Sequence, residues 1–429
     1  MAIKEIYSDI LNEKIHIKKL DNGLEIFVMP KRGYTKKFAI FGTHYGSVDN
    51  KFRLSGQNEI IEVPEGIAHF LEHKLFESEE GGVFNRFSKL GSSVNAYTNF
   101  NSTCYLFSCT DKFYENLSIL IDFVQSPYLT DENVQKEKGI IEQEIRMYQD
   151  NPNWKVFFNS LKSLYNEHPV KIDIAGTVDS IYEITKEDLY TCYNTFYVPN
   201  NMMVFVVGDV DIDETFSVVE NNLKESFKKL PGNVERIIPN ESPDIKNKKV
   251  EEKLAVSMPL FNIAFKDTNI DLKGKELLKK DIQTKIILDM IFGRSSKLYK
   301  RLYDNGLINE NFEREYTFDT SYGHSMIGGE SKNPEKVYEM VCSEIEELKN
   351  KGLDREDFDR IKKKFIGQHI SSYNSVEFIA NTFTSYYFKG INLFDYIVEL
   401  KKLDIDSISK RFYEHFDINK SVLSIINPH

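Results

Sequence analysis

The sequence predicts an α+β protein of two homologous α/β sandwich domains, related by duplication, each an antiparallel-rich sheet with helices packed on it. Three observations favour this fold: the length, the alternation of strand-like and helix-like segments, and one segment that recurs in the C-terminal half. At about 150 residues per domain, 429 residues are too many for one ordinary core. The composition, 41% hydrophobic and 28% charged, is typical of a folded protein with a buried core.

The recurring segment indicates a domain duplication. Residues 184–208 and 403–427 align without gaps, and each contains a polar stretch with helical spacing, an aromatic pair, an asparagine and a β-branched strand. The offset of 219 residues (403 minus 184) is much longer than the roughly 20 to 50 residues of a solenoid unit. Residues 228–253, rich in lysine and interrupted by proline and glycine, break all periodicity. We therefore predict domains at 1–230 and 253–429, joined by a linker at 231–252.

Within the predicted domains, residue type and spacing predict the individual elements. Short runs rich in β-branched and aromatic residues predict strands at 25–29, 38–45, 93–98, 105–109 and 203–207. Apolar residues at helical spacing predict helices at 64–76, 113–125, 131–148, 154–165 and 186–196.

The charge and the cysteines exclude several classes of protein. Lys plus Arg (55) minus Asp plus Glu (66) gives −11, so we expect no general attraction to nucleic acid or to anionic lipid. The apolar runs fall short of the roughly 20 residues of a membrane-spanning helix, and we expect no membrane partner and a cytoplasmic location. Four cysteines without a CxxC pair favour reduced, structural thiols.

One predicted helix carries a pattern typical of a metal site, His69-Phe-Leu-Glu72-His73. Histidines four apart lie on the same helical face, with Glu72 beside them and the apolar residues on the other face. Two imidazoles one turn apart can bind one Zn²⁺, and a neighbouring carboxylate can deprotonate a water molecule. The alternative, a solvated polar face, stays open on spacing alone.

A catalytic zinc needs a third protein ligand, and the helix at 131–148 offers one. Glu137 and Glu144 are seven residues apart and share a face, whereas Glu142 is rotated away. Glu144 as ligand and Glu137 as the residue that orients a histidine fit the general needs of metal sites. A solvated charged helix is the alternative.

The chain resembles the insulinase/pitrilysin zinc metallopeptidases, above all the short bacterial relatives of the mitochondrial processing peptidase, because several of its motifs match theirs in the same order. Gly66-Ile-Ala-His69-Phe-Leu-Glu72-His73 resembles GxAHxxEH, the inverzincin signature, and Glu137-Lys-Gly-Ile-Ile-Glu-Gln-Glu144 resembles E(K/R)xxIxxE. Leu164-Tyr-Asn-Glu-His168-Pro, Gly176-Thr and the segment 196–209 are further family landmarks. The likeness runs through nearly the whole chain.

The resemblance implies a role for each residue that matches a motif. It implies a zinc metalloendopeptidase with one Zn²⁺ per chain, bound by His69, His73 and Glu144. Glu72 is then the general base, and Glu137 supports the site. It also implies that a peptide substrate is bound as an added strand along 91–98, with Val94, Asn95, Ala96 and Tyr97 as the binding residues. An ordinary edge strand is the alternative for that segment. The predicted domain 1–230 is then catalytic, and the homologous domain 253–429 is non-catalytic.

The C-terminal half departs from the family pattern in one respect. Residues 292–308 resemble a segment in which active members carry an Arg and a Tyr, but the matching positions here are Tyr303 and Asn309. Arg301 is a possible substitute for the arginine. We therefore expect a dimer. One hypothesis is a heterodimer in which a related chain without HxxEH supplies the missing pair, and a homodimer is the alternative.

Two other functions remain open at this point. A non-catalytic or scaffold subunit of a processing-peptidase-like complex is one, although such subunits usually lose the zinc residues. A regulator with structural zinc is the other, and it needs four protein ligands. His44, His168 and His324 are not assigned to the metal.

Overall fold

A computed structural model describes residues 3–54, 56–79, 81–229, 232 and 234–429. The chain forms two compact units, and each draws on three separate stretches of sequence. Unit 1 comprises Met1–Ile145, Ile172–Ile237 and Ser372–Phe388. Unit 2 comprises Arg146–Lys171, Ile238–Ser371 and Lys389–His429.

The main sheet of unit 1 has seven strands in the order β1-β2-β3-β9-β4-β8-β7. The neighbours are antiparallel except for β3 and β9, which are parallel. The strands are β1 Lys4–Ser8, β2 Glu13–Lys19, β3 Glu25–Pro30, β4 Lys37–Thr43, β7 Ser93–Thr98, β8 Thr103–Cys109 and β9 Met202–Gly208. A small antiparallel sheet in the order β10-β5-β6 consists of β5 Lys51–Leu54, β6 Ile61–Glu62 and β10 Val234–Arg236.

Helices pack on both faces of the main sheet of unit 1, because alternate residues of its strands point in opposite directions. On one face, Ala39 and Phe41 of β4 belong to a hydrophobic core. This core also contains residues of the helices that precede and follow β7 and β8. On the other face, Phe205 stacks on Phe383 at 4.2 Å between ring centroids. The helices are α1 Ile67–Lys74, α2 Val83–Ser88, α3 Phe113–Val124, α4 Asp131–Gln149, α6 Val178–Glu183, α7 Lys186–Phe196, α8 Ile212–Asn221 and α13 Val376–Tyr387.

Unit 2 contains a five-stranded sheet in the order β11-β15-β12-β14-β13. Its strands are β11 Lys249–Leu254, β12 Leu260–Lys266, β13 Glu313–Phe318, β14 Gly323–Glu330 and β15 Ser421–Pro428. Its helices are α5 Pro152–Leu164, α9 Gly274–Phe292, α10 Lys297–Asp304, α11 Pro334–Lys351, α12 Arg355–Ser372, α14 Asp395–Lys402 and α15 Ile405–His415.

The sheets of the two units share one topology, which confirms the predicted duplication. The strands β3-β9-β4-β8-β7 correspond to β11-β15-β12-β14-β13, with one parallel pair followed by three antiparallel pairs in each. The predicted repeat falls on α7 and α15, whose first residues, 186 and 405, are 219 apart. The helix caps correspond too, because the side chains of Thr185 and Asp404, also 219 apart, each accept a hydrogen bond from the backbone N–H three residues later.

The compact units differ from the predicted contiguous domains 1–230 and 253–429. Helix α5 lies in the N-terminal half of the sequence but packs on β12 and β15, and α13 lies in the C-terminal half but packs on β4 and β9. The predicted linker 231–252 contains β10, which pairs with β5, and the start of β11. Residues 231 and 233 of that linker lie outside the described residues. Amphipathic spacing shows which face of a helix is buried but not which sheet covers that face. The exchange of α5 and α13 between the two halves of the sequence was therefore not predictable from the pattern.

Candidate metal centre

Helix α1 carries the two predicted histidines and is held in place by its apolar face. Ile67, Phe70 and Leu71 are buried in the core of unit 1, which leaves His69 and His73 on the opposite face. The two imidazole rings lie 4.6 Å apart between centroids. The helix begins at Ile67 rather than at residue 64 as predicted.

Two glycines explain why α1 begins where it does. Gly66 has a φ of +87° and Gly176 a φ of +77°, a region that L residues rarely adopt. A Cβ on Gly66 would lie 2.3 Å from the carbonyl oxygen of Ala175, and a Cβ on Gly176 would lie 2.5 Å from the carbonyl oxygen of Glu65. The backbones before α1 and before α6 therefore approach so closely that both positions require glycine.

Helix α4 brings the predicted glutamates to the same place. Val134, Ile141 and Ile145 bury one face of this helix in the core, and Glu137 lies on that face with only 5% of its surface exposed. Glu142 points elsewhere and accepts a hydrogen bond of 2.7 Å from the Tyr182 hydroxyl.

His69, His73 and Glu144 converge closely enough to share one ion, since a ligand atom from each lies within 4.8 Å of the other two. The Nε2 atoms of His69 and His73 lie 3.7 Å and 3.5 Å from the two carboxylate oxygens of Glu144. Ligands bound tetrahedrally at about 2.0–2.1 Å are separated from one another by about 3.3 Å. The observed separations fit a shared zinc ion better than they fit direct hydrogen bonds, which are shorter than about 3.2 Å.

Glu137 orients His73 from behind. Its Oε1 lies 3.0 Å from His73 Nδ1, which leaves Nε2 of this ring directed toward Glu144. Burial lowers the pKa of His73, but the hydrogen bond to Glu137 and the nearby carboxylates outweigh burial and raise it. Burial raises the pKa of Glu137, but the contacts with His73 and Lys74 outweigh burial and lower it. The pair therefore orients the second histidine and favours its protonated form.

Lys74 is a supporting residue that the sequence reasoning missed. Its side chain is fully buried, and its Nζ contacts Glu77 at 2.5 Å, the backbone carbonyl of Asn133 at 3.2 Å and Glu137 at 3.7 Å. A charged residue beside apolar neighbours in the predicted helix was the available signal, because a buried ammonium group requires anionic or carbonyl partners.

His69 is the more buried of the two histidines. Burial and the neighbouring His73 lower the pKa of its imidazole to about 3, so the ring is neutral near pH 7. A neutral imidazole is the form that binds a metal. Among the described residues, no group forms a hydrogen bond with its buried Nδ1 atom.

Glu72 lies on α1 between the two histidines and is 8% exposed. Burial raises the pKa of its carboxyl, although a hydrogen bond from Thr98 opposes this effect. That bond, 2.9 Å long, runs from the Thr98 hydroxyl to Glu72 Oε2. A buried carboxylate with a raised pKa beside a metal centre is suited to accept a proton.

The predicted substrate segment forms β7 at the edge of the main sheet. Within the described part of the chain, β7 pairs only with β8. Val94 and Ala96 pack against the core, and Asn95 is exposed. The Tyr97 hydroxyl donates a hydrogen bond of 3.2 Å to Asn381 on α13, a contact that sequence reasoning did not anticipate. The outer edge of β7 is therefore a free backbone edge close to Glu72.

The histidines that were not assigned to the metal lie elsewhere. His44 stacks on Phe388, and His168 and His324 are buried in unit 2. Burial lowers the pKa of His168 to about 4 and that of His324 to about 3.

Comparisons with known proteins match both halves of the chain. A family model described as insulinase (peptidase family M16) matches residues 61–178, which include α1 and α4. A second model, described as the peptidase M16 inactive domain, matches residues 183–365. No helix in the described ranges combines the length and the apolarity needed to span a bilayer. The predicted cytoplasmic location stays a prediction.

Two relatives are similar over nearly their whole length, and a third is matched over about half of its length. The chain is 42% identical to an uncharacterized zinc protease of Bacillus subtilis, YmfH, over 99% of each chain. It is 38% identical to an M16-like peptidase from Alicyclobacillus acidocaldarius of known structure, with a TM-score of 0.94 over 97% of this chain and 99% of that one. Pitrilysin shows the same fold, with a TM-score of 0.76 and 15% identity over 46% of its own chain.

Proposed function

This chain belongs to the insulinase family of peptidases, and on that premise we propose that it is a zinc-dependent endopeptidase that cleaves unfolded peptides bound as an edge strand. The observation that carries the proposal is the convergence of His69, His73 and Glu144 beside the buried carboxylate of Glu72. Three ligands leave one coordination position for water, as a catalytic zinc site requires. Relatives named zinc proteases support the metal.

The residues of the site divide the chemistry among them. His69, His73 and Glu144 would hold the zinc ion, which when bound polarises a carbonyl and lowers the pKa of water toward about 7. Glu72 would accept a proton from a water molecule beside it and deliver that proton to the leaving amine. Glu137 keeps His73 in the tautomer whose Nε2 is free to bind the metal, because its carboxylate accepts the proton on Nδ1.

Substrate binding is proposed for the free edge of β7, at Val94, Asn95, Ala96 and Tyr97. A peptide that pairs with this edge gains backbone hydrogen bonds that depend little on its sequence. The strand ends at Thr98, which contacts Glu72, so an added strand would pass close to the base. Such pairing requires an extended peptide rather than a folded protein.

A second chain is proposed to complete the site. Arg301 forms an ion pair with Glu344, Tyr303 stacks on Tyr299, and Asn309 donates a hydrogen bond of 2.7 Å to Glu330. Arg301, the residue considered above as a substitute for the missing arginine, is therefore engaged by Glu344. A related chain without HxxEH, paired with this one in a heterodimer, would supply the Arg and the Tyr.

Replacing Glu72 with Gln tests the peptidase proposal. We expect E72Q to bind zinc as the natural protein does but to lose peptide cleavage by at least about 100-fold, because the amide cannot accept the proton. Zinc content by elemental analysis and cleavage of unstructured peptides measure the two effects. Full cleavage by E72Q contradicts the role of the base.

The same assay separates the alternative functions. A scaffold subunit would show no cleavage alone, and cleavage by a complex that contains it would not depend on Glu72. A structural zinc site would show no exchangeable water and no dependence on Glu72. Cleavage by the purified chain alone, at the rate of the chain mixed with a partner, contradicts the heterodimer proposal. A single species at the mass of one chain in solution contradicts dimerisation.

A further inference from the structure

The last residue of the proposed substrate strand contacts the proposed base. Thr98 ends β7, and its hydroxyl lies 2.9 Å from Glu72 Oε2. Its side chain points to the α1 face because it alternates in register with Ala96, which packs against the core on that face. The contact joins residues that are 26 apart in sequence, and it comes from the sheet rather than from α1 itself.

The single hydrogen of this hydroxyl has two acceptors within reach, Glu72 Oε2 and the hydroxyl of Thr103. Thr103 lies 3.3 Å away and donates its own hydrogen to the carbonyl oxygen of Tyr45 at 2.9 Å, which leaves its oxygen able to accept one. An ionised carboxylate is an acceptor only. The shorter contact and the stronger acceptor are both on Glu72, so the hydrogen of Thr98 lies on Glu72 Oε2.

We infer that Thr98 is a positioning residue, which holds one oxygen of Glu72 so that the other faces the metal centre. This inference rests on the proposed peptidase function and deepens it. A carboxylate on a helix otherwise rotates about its last two torsions, and a hydrogen bond to a charged group is strong enough to select one orientation. Thr98 is the last residue of β7. The strand that would pair with a peptide therefore also holds the base that would act on that peptide.

Two substitutions of nearly equal shape test the role. T98V removes the hydroxyl and keeps the branched shape, whereas T98S keeps the hydroxyl. We expect T98V to lower kcat by about 10- to 100-fold with KM within about twofold, and T98S to restore kcat to within about threefold. T317V on β13, the corresponding edge strand of unit 2, is the matched control and should keep both constants.

Other readouts keep the inference separate from the peptidase proposal. Zinc content should be equal in the natural protein and in T98V. In the metal-free protein, the urea midpoints of T98V, E72M and the double variant should be non-additive, because the two side chains share one hydrogen bond and methionine has no oxygen to accept it. Additive midpoints, or a T98V enzyme with unchanged kcat, would overturn the inference even if peptide cleavage is found. Absence of cleavage in the natural protein, together with non-additive midpoints, removes the peptidase proposal and leaves the contact.

Discussion

The two compact units have the same sheet topology but treat their buried charges in opposite ways. In unit 1, the Nε2 atoms of His69 and His73 lie 3.7 and 3.5 Å from the carboxylate oxygens of Glu144, longer than ordinary hydrogen bonds. In unit 2, Asp267 accepts two hydrogen bonds from Arg411, at 2.6 and 3.2 Å, and a third of 2.5 Å from the Tyr316 hydroxyl. The separations in unit 1 fit a shared metal ion, whereas the charges in unit 2 pair directly with one another.

The cluster around Asp267 in unit 2 consists of buried charges that pair with one another. Asp267 and Arg411 are 3% and 2% exposed, and Lys280 adds a contact of 3.3 Å to the same carboxylate. Burial raises the pKa of Asp267, but the neighbouring positive charges outweigh burial and hold it far below its usual value. Asp267, Arg411 and Lys280 pair with one another, whereas His69, His73 and Glu144 lie at separations that could hold a metal ion. The duplicated sheet therefore supports either arrangement, and the choice lies in the side chains.

The largest expected effect is on the cluster around Asp267. D267N removes the negative charge and leaves Arg411 and Lys280 buried without it, which typically costs about 3–5 kcal/mol in the free energy of unfolding. Chemical denaturation followed by circular dichroism measures this loss. D304N, at an exposed position of α10, is the control and should change the stability by less than about 0.5 kcal/mol. Equal stability of the two variants would contradict the structural role of Asp267.

The next effect is on the candidate metal centre. E144Q removes an anionic ligand, and we expect it to weaken zinc binding by more than about 100-fold, beyond the range for residues that only support a ligand. Competition with a chromophoric chelator measures the affinity. E142Q, two residues earlier on the same helix, should bind zinc normally, since Glu142 contacts Tyr182 instead. Zinc binding unchanged in E144Q would remove Glu144 from the ligand set.

A smaller effect is expected for the residue behind His73. E137Q weakens the hydrogen bond that orients the ring, and such supporting residues typically contribute about 10- to 100-fold to metal affinity. The same chelator competition measures it, again beside E142Q. An affinity as low as that of E144Q would mean that Glu137 itself binds the metal.

The smallest effect is a pH dependence of unit 2 that does not involve the metal. Burial raises the pKa of Glu241, but Lys266 and the backbone N–H groups of residues 166–168 outweigh burial and lower it to about 2. Stability from this lowered pKa is present above about pH 4.5 and is lost as the pH falls from about 4.5 to about 2. We expect E241Q to reduce stability at pH 7 by about 1–3 kcal/mol and to flatten this acid dependence.

Urea denaturation at a series of pH values measures the Glu241 effect. E310Q removes an exposed carboxyl of unit 2 and should keep the acid dependence of the natural protein. An unchanged slope in E241Q between pH 4.5 and pH 2 would show that other groups produce it.

The sequence was sufficient to place the candidate residues on helical faces, and it offered Glu137 as a supporting residue, but it did not indicate the contacts of Thr98 and Lys74. His69, Glu72 and His73 could be placed on one helix because a spacing of three or four residues reports a helical face directly. Thr98 and Lys74 support the site through contacts with residues distant in sequence, and no spacing rule reports such contacts. Asn381, which binds Tyr97, comes from a helix more than 280 residues later.

For the fold, too, local patterns predicted the elements, and contacts distant in sequence decided the rest. Alternating strands and helices, together with the repeat at an offset of 219, were enough to predict two related sandwiches. The positive φ of Gly66 shortened α1 relative to its prediction, because the approach of residues 175 and 176 excludes a helical turn there. Tertiary contacts, rather than local preference, decided that boundary.

The exchanged helix α13 has a consequence for how this protein is made. Phe383 of α13 stacks on Phe205 and contacts Phe27, and so it covers the face of the seven-stranded sheet that lies opposite α1. A ribosome releases the chain from its N-terminus, so this face stays bare until residue 388 has emerged. The unit that carries the histidines is therefore complete only after α13 has been synthesised, and a nascent chain stalled at the predicted linker would leave Phe27 and Phe205 without this cover.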